Sequence, residues 1–173
     1  MTRTKVLYLI AGIGVGGAEK LLLAMARCLD HTRFEPVIAT LTGGDLIPVF
    51  EKAGIRVHNL DMKHKLDLRG IPKLIAMFRK ERPEILHTHI VYSDIVGRIL
   101  GKLCGIPHIV TTIHMFEPIR GTWLWKRLDR WSARLNDALV AVSDEVKRAV
   151  VDIEGLPEER VEVIQNAIEF QTP

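Results

Sequence analysis

The sequence predicts an α/β protein built on a doubly wound, mostly parallel sheet of about seven strands. Two observations carry this. Short apolar runs alternate with amphipathic helical patterns along the whole chain. The first run, Val6–Ala11, then turns through Gly12-Ile13-Gly14-Val15-Gly16-Gly17 into a helix marked by Ala18, Leu21, Leu22, Met25, Ala26 and Leu29. A continuous apolar run is what a strand covered on both faces needs. The glycine turn brings unpaired helix N–H groups and the positive end of the helix dipole close to whatever anion approaches, so it reads as a phosphate cradle in a Rossmann-like sheet.

The remaining elements follow in order. Pro36–Leu41 is the second strand, Leu46–Ala53 a short helix stopped by Gly54, and Arg56–Leu60 the third strand. Asp61–Asp67 is polar and reads as a loop. Ile71–Arg82 is a helix with Pro72 in its first turn and Pro83 at its end. Glu84–His89, His108–Ile113, Ala138–Val142 and Val161–Ile164 complete the strands. The helices between them are Asp94–Cys104, stopped by Gly105, then Trp123–Leu135, then a helix capped by Ser143 and broken by Gly155-Leu156-Pro157. With 173 residues the chain fits one domain.

Composition narrows the function classes. A net charge of +3 is too mild to argue for nucleic acid, and basic runs interleaved with aromatics are missing. The two cysteines, Cys28 and Cys104, fall on apolar helical faces and read as small core residues in a reducing compartment. About six apolar residues precede Gly12, short of a signal-peptide core, and no run approaches the ~20 of a membrane helix. A cytoplasmic protein is expected, peripheral at most to the inner face of a membrane.

Ligands of doubly wound sheets bind at the carboxyl ends of the strands. The residues there are Gly14, Gly16 and Gly17, His87 and His89, His114, Ser143 and Asn166. Gly12, Gly14 and Gly17 satisfy G-x-G-x-x-G, so a dinucleotide-binding oxidoreductase is one reading. The second strand ends Ala39-Thr40-Leu41-Thr42, without the acid that would hold the ribose. His87, His89 and His114 could hold a metal, but no acid or cysteine completes an obvious set, and none is expected. Neutral imidazoles that donate and accept hydrogen bonds to hydroxyls fit better. His31, His58 and His108 lie away from the strand ends and read as structural. Walker, nucleophile-elbow and Ser-His-Asp patterns are absent.

Gly16-Gly17-Ala18-Glu19 with Leu21–Ala24, Glu84–His89, Gly97-Arg98, Gly105-Ile106-Pro107, Val110–His114, Asp137–Ser143 and Val161–Glu169 together resemble, in order and spacing, the amino-terminal domain of family 4 glycosyltransferases. The resemblance covers nearly the whole chain. It implies half of a GT-B fold, in which two Rossmann-like domains face a cleft and a sugar leaves a nucleotide-sugar with retention and without an obligatory metal. Carried over by position, Gly14, Gly16 and Gly17 would meet the donor diphosphate, and His114 would be the catalytic-site residue near the transferred sugar. His87, His89 and Glu19 would lie on the acceptor side, Glu19 orienting the loop. Asn166 would mark the interdomain crossover, where Gln165-Asn166-Ala167-Ile168-Glu169 departs from the family's Pro-Asn-Gly-Ile-Asp. The family's paired glutamates belong to a carboxyl-terminal domain that would begin near Pro173, so residues 1–173 alone are expected to be inactive. No cofactor is expected. An epimerase of the same architecture is the other alternative.

Trp123, Arg127, Arg130 and Arg134 recur at i, i+4, i+7 and i+11, beside a core face read as Leu124, Leu128, Trp131 and Leu135. Tryptophan next to arginine on one helix is a candidate membrane face, suited to lipid-linked or polysaccharide acceptors.

Overall fold

A computed structural model describes residues 3–64, 67–115, 123–153 and 155–166. Seven parallel strands form one sheet, β1 (Thr4–Ile10), β2 (Phe34–Thr40), β3 (Arg56–Asn59), β4 (Ile85–His89), β5 (His108–Ile113), β6 (Ala138–Ala141) and β7 (Val161–Val163), in the order β3-β2-β1-β4-β5-β6-β7. Helices α1 (Gly17–Cys28), α2 (Ile47–Lys52), α3 (Gly70–Glu81), α4 (Val91–Leu103), α5 (Trp123–Ala133) and α6 (Asp144–Asp152) make the connections. The strand order reverses between β1 and β4, which puts the switch point beside the glycine turn.

Side-chain alternation along β1 loads both faces. Leu7 and Leu9 pack with Val37, Leu86, Ile109 and the buried sides of α3 and α4. Val6, Tyr8 and Ile10 pack with Leu22 and Ala26 of α1, Phe50 of α2 and Ile38. Gly97 and Gly101 let α4 sit directly on the sheet, since a Cβ at Gly97 would come 2.7 Å from Thr88 and 2.9 Å from Leu9.

Several expectations are corrected. β1 and β2 each begin two residues early, and Pro36 is accommodated because β3 joins only opposite Val37. Helix α4 begins at Val91, three residues before Asp94. Cys28 is exposed, because the packed face of α1 runs through Leu22 and Ala26. On α5 the inward residues are Asp129, Ser132 and Ala133, while Leu124 and Trp131 are 64% and 52% exposed. Polar residues face inward there because Arg98 of α4 is wholly buried beneath α5. Its guanidinium donates to Asp129 at 2.6 Å, Thr111 at 3.1 Å and Ser132 at 3.3 Å.

Candidate functional site

A cavity of about 230 Å³ opens at the carboxyl rim of the sheet. Its walls come from the start of α1 (Gly16, Gly17, Ala18, Glu19), the start of α4 (Ile90, Val91, Asp94) and the end of β5 (Ile113, His114, Met115). The structure therefore brings Gly16, Gly17, Glu19 and His114 into one concave site. Gly14 stands outside its lining.

Steric access is what the glycines provide, since no residue from Gly12 to Gly17 has positive φ. A Cβ at Gly14 or Gly17 would meet nothing within 4 Å. At Gly16, the N-cap of α1, it would collide with the Glu19 carboxylate, which folds back over the helix start as an acid at the third helical position does. The lower half of the turn is closed instead. Ile13 is fully buried and donates to Gly43 O at 2.8 Å, and Gly44 (φ +148) admits no side chain against Ile13 O. Thr40 to Gly44 thus seals the place where a dinucleotide's ribose acid would stand.

The histidines form a graded row on the α1 side of the sheet. Tyr8 and His87 have centroids 5.3 Å apart, His87 stacks on His89 at 4.4 Å, and His89 meets His114 at 5.2 Å. His87 is half-buried and bonds Thr112 Oγ1 at 2.8 Å. His89 is 0% exposed and its Nδ1 lies 2.9 Å from His114 Nε2, a separation that leaves no room for a cation between the two nitrogens. His114 alone of the three lines the cavity. Neither His87, half-buried against Thr112, nor the buried His89 lines this cavity, so the structure does not bring them to it beside His114.

Burial holds all three imidazoles neutral. His87 is lowered to about 3 by burial and the neighbouring His114, His89 well below its ordinary value by burial and both neighbours, and His114 to about 4 by burial. His89 Nε2 is buried without a hydrogen-bond partner among the described residues. An unpaired buried lone pair costs less than an unpaired N–H, so the network assigns the His89 proton to Nδ1, donating to His114 Nε2. The His114 proton then resides on Nδ1.

Two features of the site, Ile90 and Asp94, had no sequence signal. Ile90, between β4 and α4, has φ 74, an outlier for a β-branched residue. Its carbonyl accepts from Ser93 Oγ at 2.7 Å and Asp94 N at 3.1 Å. Asp94 is 1% exposed at the cavity wall, with Arg98 Nη2 4.0 Å behind it. Asn166 is exposed beyond β7 and donates its N–H to Val142 O at 3.3 Å; Ala167–Glu169 lie outside the described residues. Of the histidines expected to be structural, His31 bonds Ala26 O at 3.1 Å, His58 bonds Glu81 at 2.9 Å, and His108 is exposed.

On the outer face of α5, Trp123, Leu124, Arg127, Arg130 and Trp131 are all exposed, as is Arg134 just past its end, with the Arg127 guanidinium 4.9 Å from the Trp123 ring. No helix among the described residues is long and apolar enough to cross a membrane.

Comparison with known proteins places this geometry. The chain is 25% identical over 112 residues to a UDP-Gal:alpha-D-GlcNAc-diphosphoundecaprenol alpha-1,3-galactosyltransferase of Escherichia coli, covering 61% of this chain and 28% of that protein. It is 29% identical over 100 residues to an alpha-maltose-1-phosphate synthase of Mycolicibacterium smegmatis, covering 51% and 25%. The chain thus spans about a quarter of the length of these curated relatives. Anabaena Alr3699/HepE in complex with UDP shares the fold at TM-score 0.80 and 20% identity, over 95% of this chain and 44% of that one. A UDP-GlcNAc 2-epimerase of Methanocaldococcus jannaschii does so at 0.67 and 14%, over 94% and 46%. The Glycosyltransferase Family 4 profile matches residues 15–172, and with nearly the whole chain inside that match this protein belongs to glycosyltransferase family 4.

Proposed function

We propose that residues 1–173 are the acceptor-side half of a two-domain GT-B glycosyltransferase, which moves a hexose from a nucleotide-sugar to a glycan or lipid-linked acceptor with retention. The observation that carries this is the meeting of the open α1 N-terminus and a neutral His114 in one cavity at the switch point. The Gly16 and Gly17 amides stand at the positive end of α1 in the cavity wall, suited to the charge that grows on a departing diphosphate. Gly14, outside the cavity, supports the turn. His114 hydrogen-bonds a sugar hydroxyl through Nδ1–H, and Glu19 holds the loop. A carboxyl-terminal domain, reached beyond Asn166, supplies the nucleotide pocket and the remaining catalytic groups.

The relatives support donor and acceptor classes. Alr3699/HepE has been solved with UDP and with UDP-glucose. The Escherichia coli relative is named for a diphosphoundecaprenol-linked acceptor. An acceptor of that kind fits peripheral membrane contact through α5, where two tryptophans and a leucine stand among arginines.

The test is transfer by the full-length protein, screened across nucleotide-sugars, with product anomer read by NMR. Gly17→Val and His114→Ala are expected to lower transfer by about a hundred-fold, the scale of losing one transition-state donor. Full transfer by both variants would overturn the site. NAD or FAD binding without response to nucleotide-sugars would favour the oxidoreductase reading, and epimer release without acceptor the epimerase.

A further inference from the structure

Arg130 and Arg134 on the flank of α5 meet Arg160, just before β7, around a second concave site of about 490 Å³. Its other walls are Ala133, Leu139, Gly155 and Pro157, and among the described residues no carboxylate lines it. Some guanidinium groups elsewhere in the protein face acids, as Arg98 does Asp129 at 2.6 Å, Arg69 Asp67 at 2.8 Å and Arg56 Glu81 at 3.1 Å. Among the described residues these three have no such partner. Two are nevertheless held in place by neutral backbone. Arg160 donates to Asn136 O at 2.6 Å, and the Arg130 guanidinium lies against Gly155, where a Cβ would stand 3.1 Å from Nη1. Three positive forks, two of them held against neutral backbone and all without an acid partner among the described residues, thus surround one concavity, the arrangement that receives a phosphate.

We propose that this cavity binds the phosphodiester of an anionic glycerophospholipid. The site lies at the amino-terminal ends of β6 and β7, on the rim opposite Gly16 and His114, so the donor diphosphate is not its ligand. The source of the phosphate follows from the neighbouring surface. Arg130, with Arg134 just past the end of α5, adjoins the exposed helix face of Trp123, Leu124 and Trp131, which are 69%, 64% and 52% exposed. Aromatic and aliphatic side chains at interfacial depth, with cations beside them, hold a helix flat on an anionic leaflet. A headgroup reaching sideways from that leaflet enters between α5 and the loop after α6. The proposal rests on the peripheral-contact reading for its ligand and is independent of sugar transfer.

The experiment titrates the chain with dihexanoylphosphatidylglycerol below its micelle concentration, with inorganic phosphate, and with vesicles of phosphatidylcholine alone or mixed equally with phosphatidylglycerol. Saturable one-site binding of the monomeric lipid and partitioning to the mixed vesicles are expected. Arg160→Gln, which leaves the α5 face intact, is expected to weaken both about ten-fold, the loss of one charge-assisted contact. Arg134→Gln, which breaks no side-chain hydrogen bond among the described residues, is expected to act likewise, and Arg33→Gln, remote from the cavity, to change neither. Trp131→Ser is expected to reduce vesicle partitioning while monomer binding persists. Wild-type binding by both cavity variants would overturn the proposal. Vesicle binding without monomer binding would overturn it while leaving the peripheral reading in place. Inorganic phosphate binding as tightly as the lipid, with no vesicle partitioning, would overturn it in favour of a free-phosphate site.

Discussion

The two rims of the sheet use histidine in opposite ways. At the amino rim Glu81, its side chain 3% exposed, accepts from Lys5 at 2.9 Å, Arg56 at 3.1 Å and His58 at 2.9 Å. Burial alone would raise its carboxyl, but the Lys5 and His58 hydrogen bonds and the Arg56 charge bring it below the ordinary value. The Glu81 carboxylate has a partner on every side. At the carboxyl rim His89 and His114 are neutral, one ring nitrogen has no partner among the described residues, Ile90 holds a strained φ, and a cavity of about 230 Å³ opens beside them. A saturated network is scaffolding. An incomplete one next to space, kept at the cost of strain, is what a binding site rather than a brace needs, and there it supports the reading proposed above.

The most destructive way to probe this contrast is to empty the amino rim. Glu81→Ala leaves Lys5 and His58 facing a void, and about 2 kcal/mol of unfolding free energy is expected to be lost by urea titration. That is less than for a fully buried pair, since Arg56 is half exposed. Ligand binding at the other rim is expected to persist once the variant is folded. His114→Ala should invert the pattern. Its ring borders open space, so the loss of stability is expected to stay within about 1 kcal/mol while nucleotide-sugar transfer collapses. Equal stability losses in the two variants would erase the distinction between the rims.

The rims also separate by pH. The carboxyl-rim imidazoles sit below their ordinary value of 6.5, so the unfolded chain binds protons first. Stability they contribute above about pH 6.5 is lost as pH falls toward about 4, where His114 titrates in the fold. The Glu81 carboxyl is depressed instead, so its contribution is complete above 4.5 and is lost only as pH falls further. His89→Asn is expected to flatten the upper window, by up to about 1.4 kcal/mol per pH unit for one proton, and to leave the lower one alone. Denaturant midpoints across pH 3.5 to 7.5 check it.

Much of the sheet was legible because each strand is an apolar run closed by glycine, proline or a cap, and these are local signals. Ser143, read as a cap, accepts from Val146 N at 3.3 Å, and Gly54, Gly105 and Gly155 stop helices with φ of 76, 75 and 71. The converging strand ends were legible too, because parallel order places Gly17 and His114 on one rim. Which face a side chain takes was less so. Trp131 and Leu124 were read as core from apolarity, yet the position is decided by Arg98, whose buried charge draws Asp129 and Ser132 inward and turns the tryptophan out. Ile90 had no signal, because its dihedral is imposed by the junction of β4 with α4. His89 was read as a ligand contact because a periodicity of two fixes its side but not its depth.

The mildest substitution sharpens the contrast most. Gly17 is the first residue of α1, has no positive φ, and would place a Cβ in empty space. For the fold alone alanine is the better residue there, since it removes unfolded-chain freedom and has higher helix propensity. Gly17→Ala is therefore expected to stabilise the chain by about 0.5 kcal/mol. The added methyl would stand in the cavity wall, in the path of a diphosphate approaching the α1 amides. Donor binding by the full-length protein, measured by calorimetry, is expected to weaken about ten-fold as the thermal midpoint rises. A glycine whose replacement improves the fold and harms binding is retained for its ligand, whereas Gly44, where a methyl would strike Ile13 O, is retained for the fold and should lose stability on the same change.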